Sequence, residues 1–191
     1  MAQIMYSQIT EFDGYALYNR QNENITYLID KDGEIAHTWN CNLPCNYTVL
    51  LKNNGNIVRG AINPGNQLTG AAQAGRVQEI DPEGNVTLWA EETNATAGLM
   101  FGADGVLYGT SIGGGAIVKF TADGKMESIA DGISCNDLVI DGNGNIYFTD
   151  HTNGNVMHIP VGGKPKVVAQ EITFPNGLIL WNDQQSLVVS D

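Results

Sequence analysis

Residues 135–150 read Cys135-Asn136-Asp137-Leu138-Val139-Ile140-Asp141-Gly142-Asn143-Gly144-Asn145-Ile146-Tyr147-Phe148-Thr149-Asp150. Two short β-rich runs, 138–140 and 146–149, flank a tip that ends on Gly144. Asp-Gly and Asn-Gly tips supply the positive φ of a tight hairpin, and β-branched and aromatic residues suit the strands on either side. The stretch is a β-hairpin, and the rest of the chain repeats it.

Tips of the same kind occur at Asp30-Lys31-Asp32-Gly33, Asn53-Asn54-Gly55, Asp81-Pro82-Glu83-Gly84, Ala103-Asp104-Gly105, Ala122-Asp123-Gly124, Gly162-Gly163 and Asn182-Asp183-Gln184. Successive tips lie 19–22 residues apart, apart from one gap of 29. Paired hairpins at this spacing give units of about 40 residues, the period of β-propeller blades rather than of a sandwich. The hairpins alternate in kind. Inner pairs are 98–101 with 106–108, 137–140 with 146–148, 177–180 with 187–189 and, more loosely, 48–51 with 57–59. Outer pairs start near Ile25, Gly75, Ala116 and Val156. No window carries a 3.6-residue apolar stripe, so helix is a minor element.

The reading is one all-β β-propeller domain over residues 1–191, built of four-stranded antiparallel blades and four blade-equivalents long. It begins with an outer pair and ends with an inner pair, so the N-terminal hairpin could complete the last blade. A compact four-bladed ring, an open fragment and half of a larger, dimeric ring are all compatible with the sequence. Unpaired blade edges would favour homo-oligomers.

Composition narrows the partners. Hydrophobic residues make up 42% and charged residues 16% of the chain, as in a folded globular protein. The formal net charge of −12, from 9 basic and 21 acidic residues, argues against nucleic acid or an anionic membrane and would favour a bound cation. No apolar run reaches the roughly 20 residues of a membrane helix, and Met1-Ala2-Gln3-Ile4-Met5-Tyr6 lacks the basic start and apolar core of a secretory signal. A soluble chain is expected. Cys41, Cys45 and Cys135 form no paired framework; a Cys41–Cys45 disulfide and ordinary thiols both fit. The Asn-x-Ser/Thr triplets at Asn24, Asn46, Asn85 and Asn94 carry no conclusion in so Asn-rich a chain.

From about Thr93 onward two paired motifs carry a resemblance. One is Cys135-Asn136-Asp137-Leu138 followed by Gly144-Asn145-Ile146-Tyr147-Phe148-Thr149-Asp150; the other is Phe174-Pro175-Asn176-Gly177-Leu178 followed by Ser186-Leu187-Val188-Val189-Ser190-Asp191. Residues 93–191 resemble SMP-30/gluconolactonase-like propellers. The resemblance implies that Asn136 and Asn176 sit at the entrance of a central tunnel and ligate calcium or a similar divalent cation. It also implies hydrolysis of a small lactone or ester. The family's N-terminal Glu-Gly-Pro motif is missing from this sequence, and so is its later aspartate-bearing blade, so only two neutral ligands carry over. Residues 1–92 are similar instead to arylsulfotransferase-type propeller repeats, through Gly14-Tyr15-Ala16-Leu17-Tyr18 and the run from Tyr27 to Trp39.

The residues support the grouping on their own. Asn136 and Asn176 each lie eight residues before an equivalent turn position, Gly144 and Gln184, so they fill the same slot in successive blades. Ala97 and Tyr47 fill that slot in the two earlier blades. Two roles are open for the asparagines: oxygen ligands, or Asx-type caps bonded to backbone groups. Asp137 is a candidate for a second layer behind the ligands or for orienting water. Asp150 and Asp191 read as turn formers. His37 and Trp39 alternate on an outer strand and read as packing residues; His151 and His158 read as surface or packing residues. Gly113-Gly114-Gly115 reads as a flexible connection.

Two functions follow from different classes. One is a calcium-dependent lactone or ester hydrolase with an incomplete metal site. The other is a non-catalytic binding or assembly module. A recombined or truncated propeller without activity would explain the two-family character of the halves.

Overall fold

The computed structural model describes residues 13–63, 74–181 and 184–191. Met1–Tyr6 and the tip residues Asn182 and Asp183 lie outside them. The strands are β1 (Ala16–Asn19), β2 (Ile25–Ile29), β3 (Ile35–Asn40), β4 (Cys45–Leu51), β5 (Ile57–Ile62), β6 (Ala74–Ile80), β7 (Val86–Glu91), β8 (Thr96–Phe101) and β9 (Leu107–Ser111). They continue as β10 (Ala116–Phe120), β11 (Met126–Asp131), β12 (Leu138–Ile140), β13 (Ile146–Asp150), β14 (Asn155–Ile159), β15 (Lys166–Ala169), β16 (Leu178–Leu180) and β17 (Leu187–Val189). No helix occurs among the described residues.

Each sheet is an antiparallel meander in chain order: β1-β2-β3, β4 to β7, β8 to β11, β12 to β15, and β16-β17. The turns explain why. Gly33, Gly55, Gly84, Gly105, Gly124, Gly144 and Gly162 all have φ between +67° and +87°, at the tips that the sequence marks. The sheets also share a defect. The register shifts between Val77 and Gln78, between Ile117 and Val118, and between Val156 and Met157, at matching places where the third strand meets the fourth. Such bulges twist the outer strand.

The first strand of each later sheet lies beside the first strand of the next, β4 by β8, β8 by β12 and β12 by β16. Apolar cores fill the spaces between successive sheets. Val58, Val77, Leu99, Leu107 and Phe120 pack between the second and third sheets; Ile117, Leu138, Ile146 and Phe148 pack between the third and fourth. Strand alternation allows this: in β10, Val118 faces one core and its neighbour Ile117 the other.

The ends differ from the expected pairing. The first sheet has three strands because β1 pairs with β2, and it does not join β16-β17. A ring closed by the N-terminal hairpin is therefore not formed among the described residues. Three cysteines are buried free thiols, so the disulfide alternative does not hold. Gly113-Gly114-Gly115 is a tight turn rather than a flexible connection: a Cβ at Gly113 would lie 2.9 Å from the Asn94 carbonyl oxygen, and Gly115 has φ +61°. No described helix is long and apolar enough to cross a membrane.

His37 packs edge-on against Trp39 at 4.4 Å, and His158 stacks on Tyr147 at 4.6 Å. Asp150 accepts both the backbone N–H and the side-chain Nδ2 of Asn153, as a turn former does.

Candidate functional site

The entries to the innermost strands meet around a cavity of about 370 Å³. It is lined by Tyr47 and Thr48 from β4, Ala97 and Gly98 from β8, Asn136 and Asp137 ahead of β12, and Asn176 ahead of β16, with Ile112 and Phe174 from connections. All four slot residues, Tyr47, Ala97, Asn136 and Asn176, thus come together. The structure adds Thr48, Ile112 and Phe174.

Each slot is held by its backbone from the preceding blade. Asn19 Nδ2 donates to the Tyr47 carbonyl at 3.1 Å, and Thr48 Oγ1 donates to that of Ala97 at 2.6 Å. Thr110 Oγ1 donates to the Asn136 carbonyl and Thr149 Oγ1 to the Asn176 carbonyl, both at 2.6 Å. Thr110 and Thr149 also accept N–H groups one residue beyond a slot, from Gly98 at 2.8 Å and from Asp137 at 3.1 Å. Position 60, which is equivalent to Thr110, is Gly60 and carries no hydroxyl; Thr48 takes over the clamp on Ala97. Thr149→Val keeps the volume and removes the clamp from the part-buried Asn176 carbonyl and Asp137 N–H. We expect a loss of about 1–3 kcal/mol, read by urea denaturation; a stability equal to that of the parent would contradict the clamp.

With their backbones fixed, the Asn136 and Asn176 side-chain amides have no hydrogen-bond partner among the described residues. The Asx-cap role has no bond to carry it. Phe174 is seated at the rim by two contacts: its N–H donates to Asp191 Oδ1 at 2.7 Å, and its ring meets His151 at 5.5 Å. Asp191 and His151 therefore act on the cavity wall, beyond the turn and packing roles expected of them.

Asp137 is not free for solvent. Its Oδ1 accepts the Leu138 N–H at 2.9 Å and its Oδ2 the Leu178 N–H at 3.4 Å, tying β12 to β16. Burial pushes its carboxyl above the usual aspartate value of 3.8, against the lowering effect of those two N–H groups. A raised folded-state value means that stability is fullest below pH 3.8 and is lost as pH rises through the folded value. Asp141, Asp81 and Asp123 are held low by their turn partners, so they give the opposite slope. Subtracting the pH–stability curve of Asp137→Asn from that of the parent should therefore leave a difference that falls with pH in this window. A flat difference would contradict the buried carboxylate.

The donor set also decides what ion the described residues can hold. Two neutral amides and one carboxyl with both oxygens engaged fall short of the six to eight oxygens of a calcium site. Among the described residues no three His, Cys, Asp or Glu side chains converge. These residues alone do not fit a resident calcium ion.

Solved structures share this fold. Virginiamycin B lyase from Staphylococcus aureus is 18% identical with a TM-score of 0.68, covering 93% of this chain and 60% of its own. A gluconolactonase from Xanthomonas campestris is 15% identical with a TM-score of 0.69, covering 92% and 64%. The fold is a β-propeller. A calcium-binding protein, regucalcin, from Agrobacterium tumefaciens gives 18% identity and a TM-score of 0.67, covering 93% and 64%. The present propeller chain spans about three-fifths of the length of the lyase, which it matches over 60%. No protein-family model matches the sequence, and no curated protein does.

Proposed function

We propose that the chain forms the ligand-receiving mouth of a β-propeller that takes a small uncharged molecule of the lactone or ester class. The observation that carries this reading is the pair of amides, Asn136 and Asn176, that line one cavity and have no side-chain hydrogen bond among the described residues. An amide offers two N–H donors and a carbonyl acceptor, which suits an ester carbonyl and neighbouring hydroxyls. Tyr47 and Phe174, about half exposed, and Ile112 give the apolar carbons of such a ligand a surface. The net charge of −12 disfavours the carboxylate that opening a lactone would yield.

Calorimetric titration with δ-valerolactone and related simple lactones tests it. Saturable binding is expected, weakened about tenfold in Asn136→Ala, the worth of one well-made hydrogen bond. No heat from any of these probes with folded protein would overturn the reading.

Metal-dependent hydrolysis of the same ligand class is the second reading. The equivalent placement of two free amides supports it, as does the likeness to the gluconolactonase and regucalcin structures. It requires oxygen ligands beyond those of the described residues. Calcium-dependent lactone turnover abolished in Asn176→Ala would support it, and turnover unaffected by chelator would oppose it.

A further inference from the structure

Four Asn-Gly pairs lie in the described residues: Asn54-Gly55, Asn143-Gly144, Asn153-Gly154 and Asn176-Gly177. Such a pair rearranges when the glycine backbone nitrogen attacks the asparagine side-chain carbonyl carbon. A hydrogen bond on the glycine N–H hinders the attack, and so does one that fixes the asparagine side chain.

Three of the pairs are restrained. Gly55 N–H donates to the Lys52 carbonyl at 3.0 Å, and Asn54 Oδ1 accepts the Asn56 N–H at 3.2 Å. Gly144 N–H donates to the Asp141 carbonyl at 3.0 Å. Asn153 Nδ2 donates to Asp150 Oδ2 at 2.8 Å, and its backbone N–H to Asp150 Oδ1 at 3.1 Å.

Asn176-Gly177 has neither restraint among the described residues. The reason lies in one substitution along the repeat. The N–H groups equivalent to that of Gly177, those of Gly98 and Asp137, donate to Thr110 and Thr149 hydroxyls. Opposite Gly177 stands Ser190, whose hydroxyl instead donates to the Gly177 carbonyl at 3.3 Å. Asn176 is exposed on the cavity, and a Cβ added to Gly177 would meet nothing closer than 3.4 Å.

We propose that Asn176-Gly177 is a self-modification site that turns a neutral wall of the cavity into a carboxylate. The Gly177 nitrogen bonds to Asn176 Cγ and gives up its proton; the Cγ–Nδ2 bond breaks and ammonia leaves, closing a succinimide. Water then adds to one imide carbonyl and breaks its C–N bond. Opening at the side-chain carbonyl yields aspartate, and opening at the main-chain carbonyl yields isoaspartate. No electrons are transferred. The product sets a negative charge near Asn136 and Asp137 on the wall of the same cavity.

Peptide mapping by mass spectrometry, on intact protein held in mildly alkaline buffer, follows the amide-to-acid mass change at all four pairs without any ligand. Asn176 is expected to convert several-fold faster than Asn54, Asn143 and Asn153, and Gly177→Ala to slow it. Equal rates at the four sites, or Asn176 the slowest, would overturn the proposal.

Discussion

Replacing Phe148 with alanine should lower the free energy of unfolding by about 3–5 kcal/mol. The ring is fully buried on β13, where Phe148 pairs in register with Leu138 of β12. It belongs to the core between the third and fourth sheets, together with Ile117, Cys135, Ile140 and Ile159. Alanine leaves a cavity that three packed strands cannot collapse to fill. Whole domains are stable by only about 5–15 kcal/mol, so this one truncation removes a large share. The effect also reaches the site, because Phe148 backs the strand pair whose entry carries Asn136 and Asp137. Urea denaturation should show a lower midpoint with an unchanged slope. A loss under about 1 kcal/mol would mean that the sheets do not pack as described.

Gly98→Ala is the second large effect, and it acts on the cavity directly. A Cβ at Gly98 would lie 2.5 Å from Asp137 Oδ1, 3.1 Å from Asp137 Cα and 3.2 Å from the Leu138 nitrogen. Two of those atoms are backbone and cannot swing aside. The carboxyl cannot turn away without giving up its N–H partners on Leu138 and Leu178. The innermost strands must move apart, and overpacking of this kind costs about 1–3 kcal/mol. Lactone affinity should fall along with stability, since Gly98, Asp137 and Asn136 share one wall. A fully stable Gly98→Ala protein with parental binding would contradict the close approach of β8 and β12.

The hairpins were legible because a tight tip needs positive φ, and glycine announces it. The exception shows the same rule. The β1–β2 hairpin escaped because its turn reaches φ +67° at Asn22 instead of at a glycine, so the first sheet gained a strand. The slot of Tyr47, Ala97, Asn136 and Asn176 was legible because a repeat places equivalent positions around one axis. Phe174 and Ile112 were not, since they sit in connections whose paths no period sets. The threonine clamps were hidden for another reason: they join residues 26 to 49 positions apart, as from Thr110 to Asn136 and from Thr48 to Ala97. Asp137 reads in sequence as a carboxylate behind the ligands or one that orients water, and only the fold shows both its oxygens engaged by backbone N–H groups. The residues after β17 read as a turn, yet Asp191 holds Phe174 at the rim.

The most direct test of the cavity as the functional site is nuclear magnetic resonance of the side-chain amides during titration with δ-valerolactone. Asn136→Ala and Asn176→Ala assign the two signals, and Asn85, whose Nδ2 is bonded to Asp81 at 2.8 Å, serves as an internal reference. The Asn136 and Asn176 resonances should shift together and saturate at one ligand concentration while that of Asn85 stays in place. Two unmoved resonances, or a shift shared equally with Asn85, would contradict a ligand site at these residues.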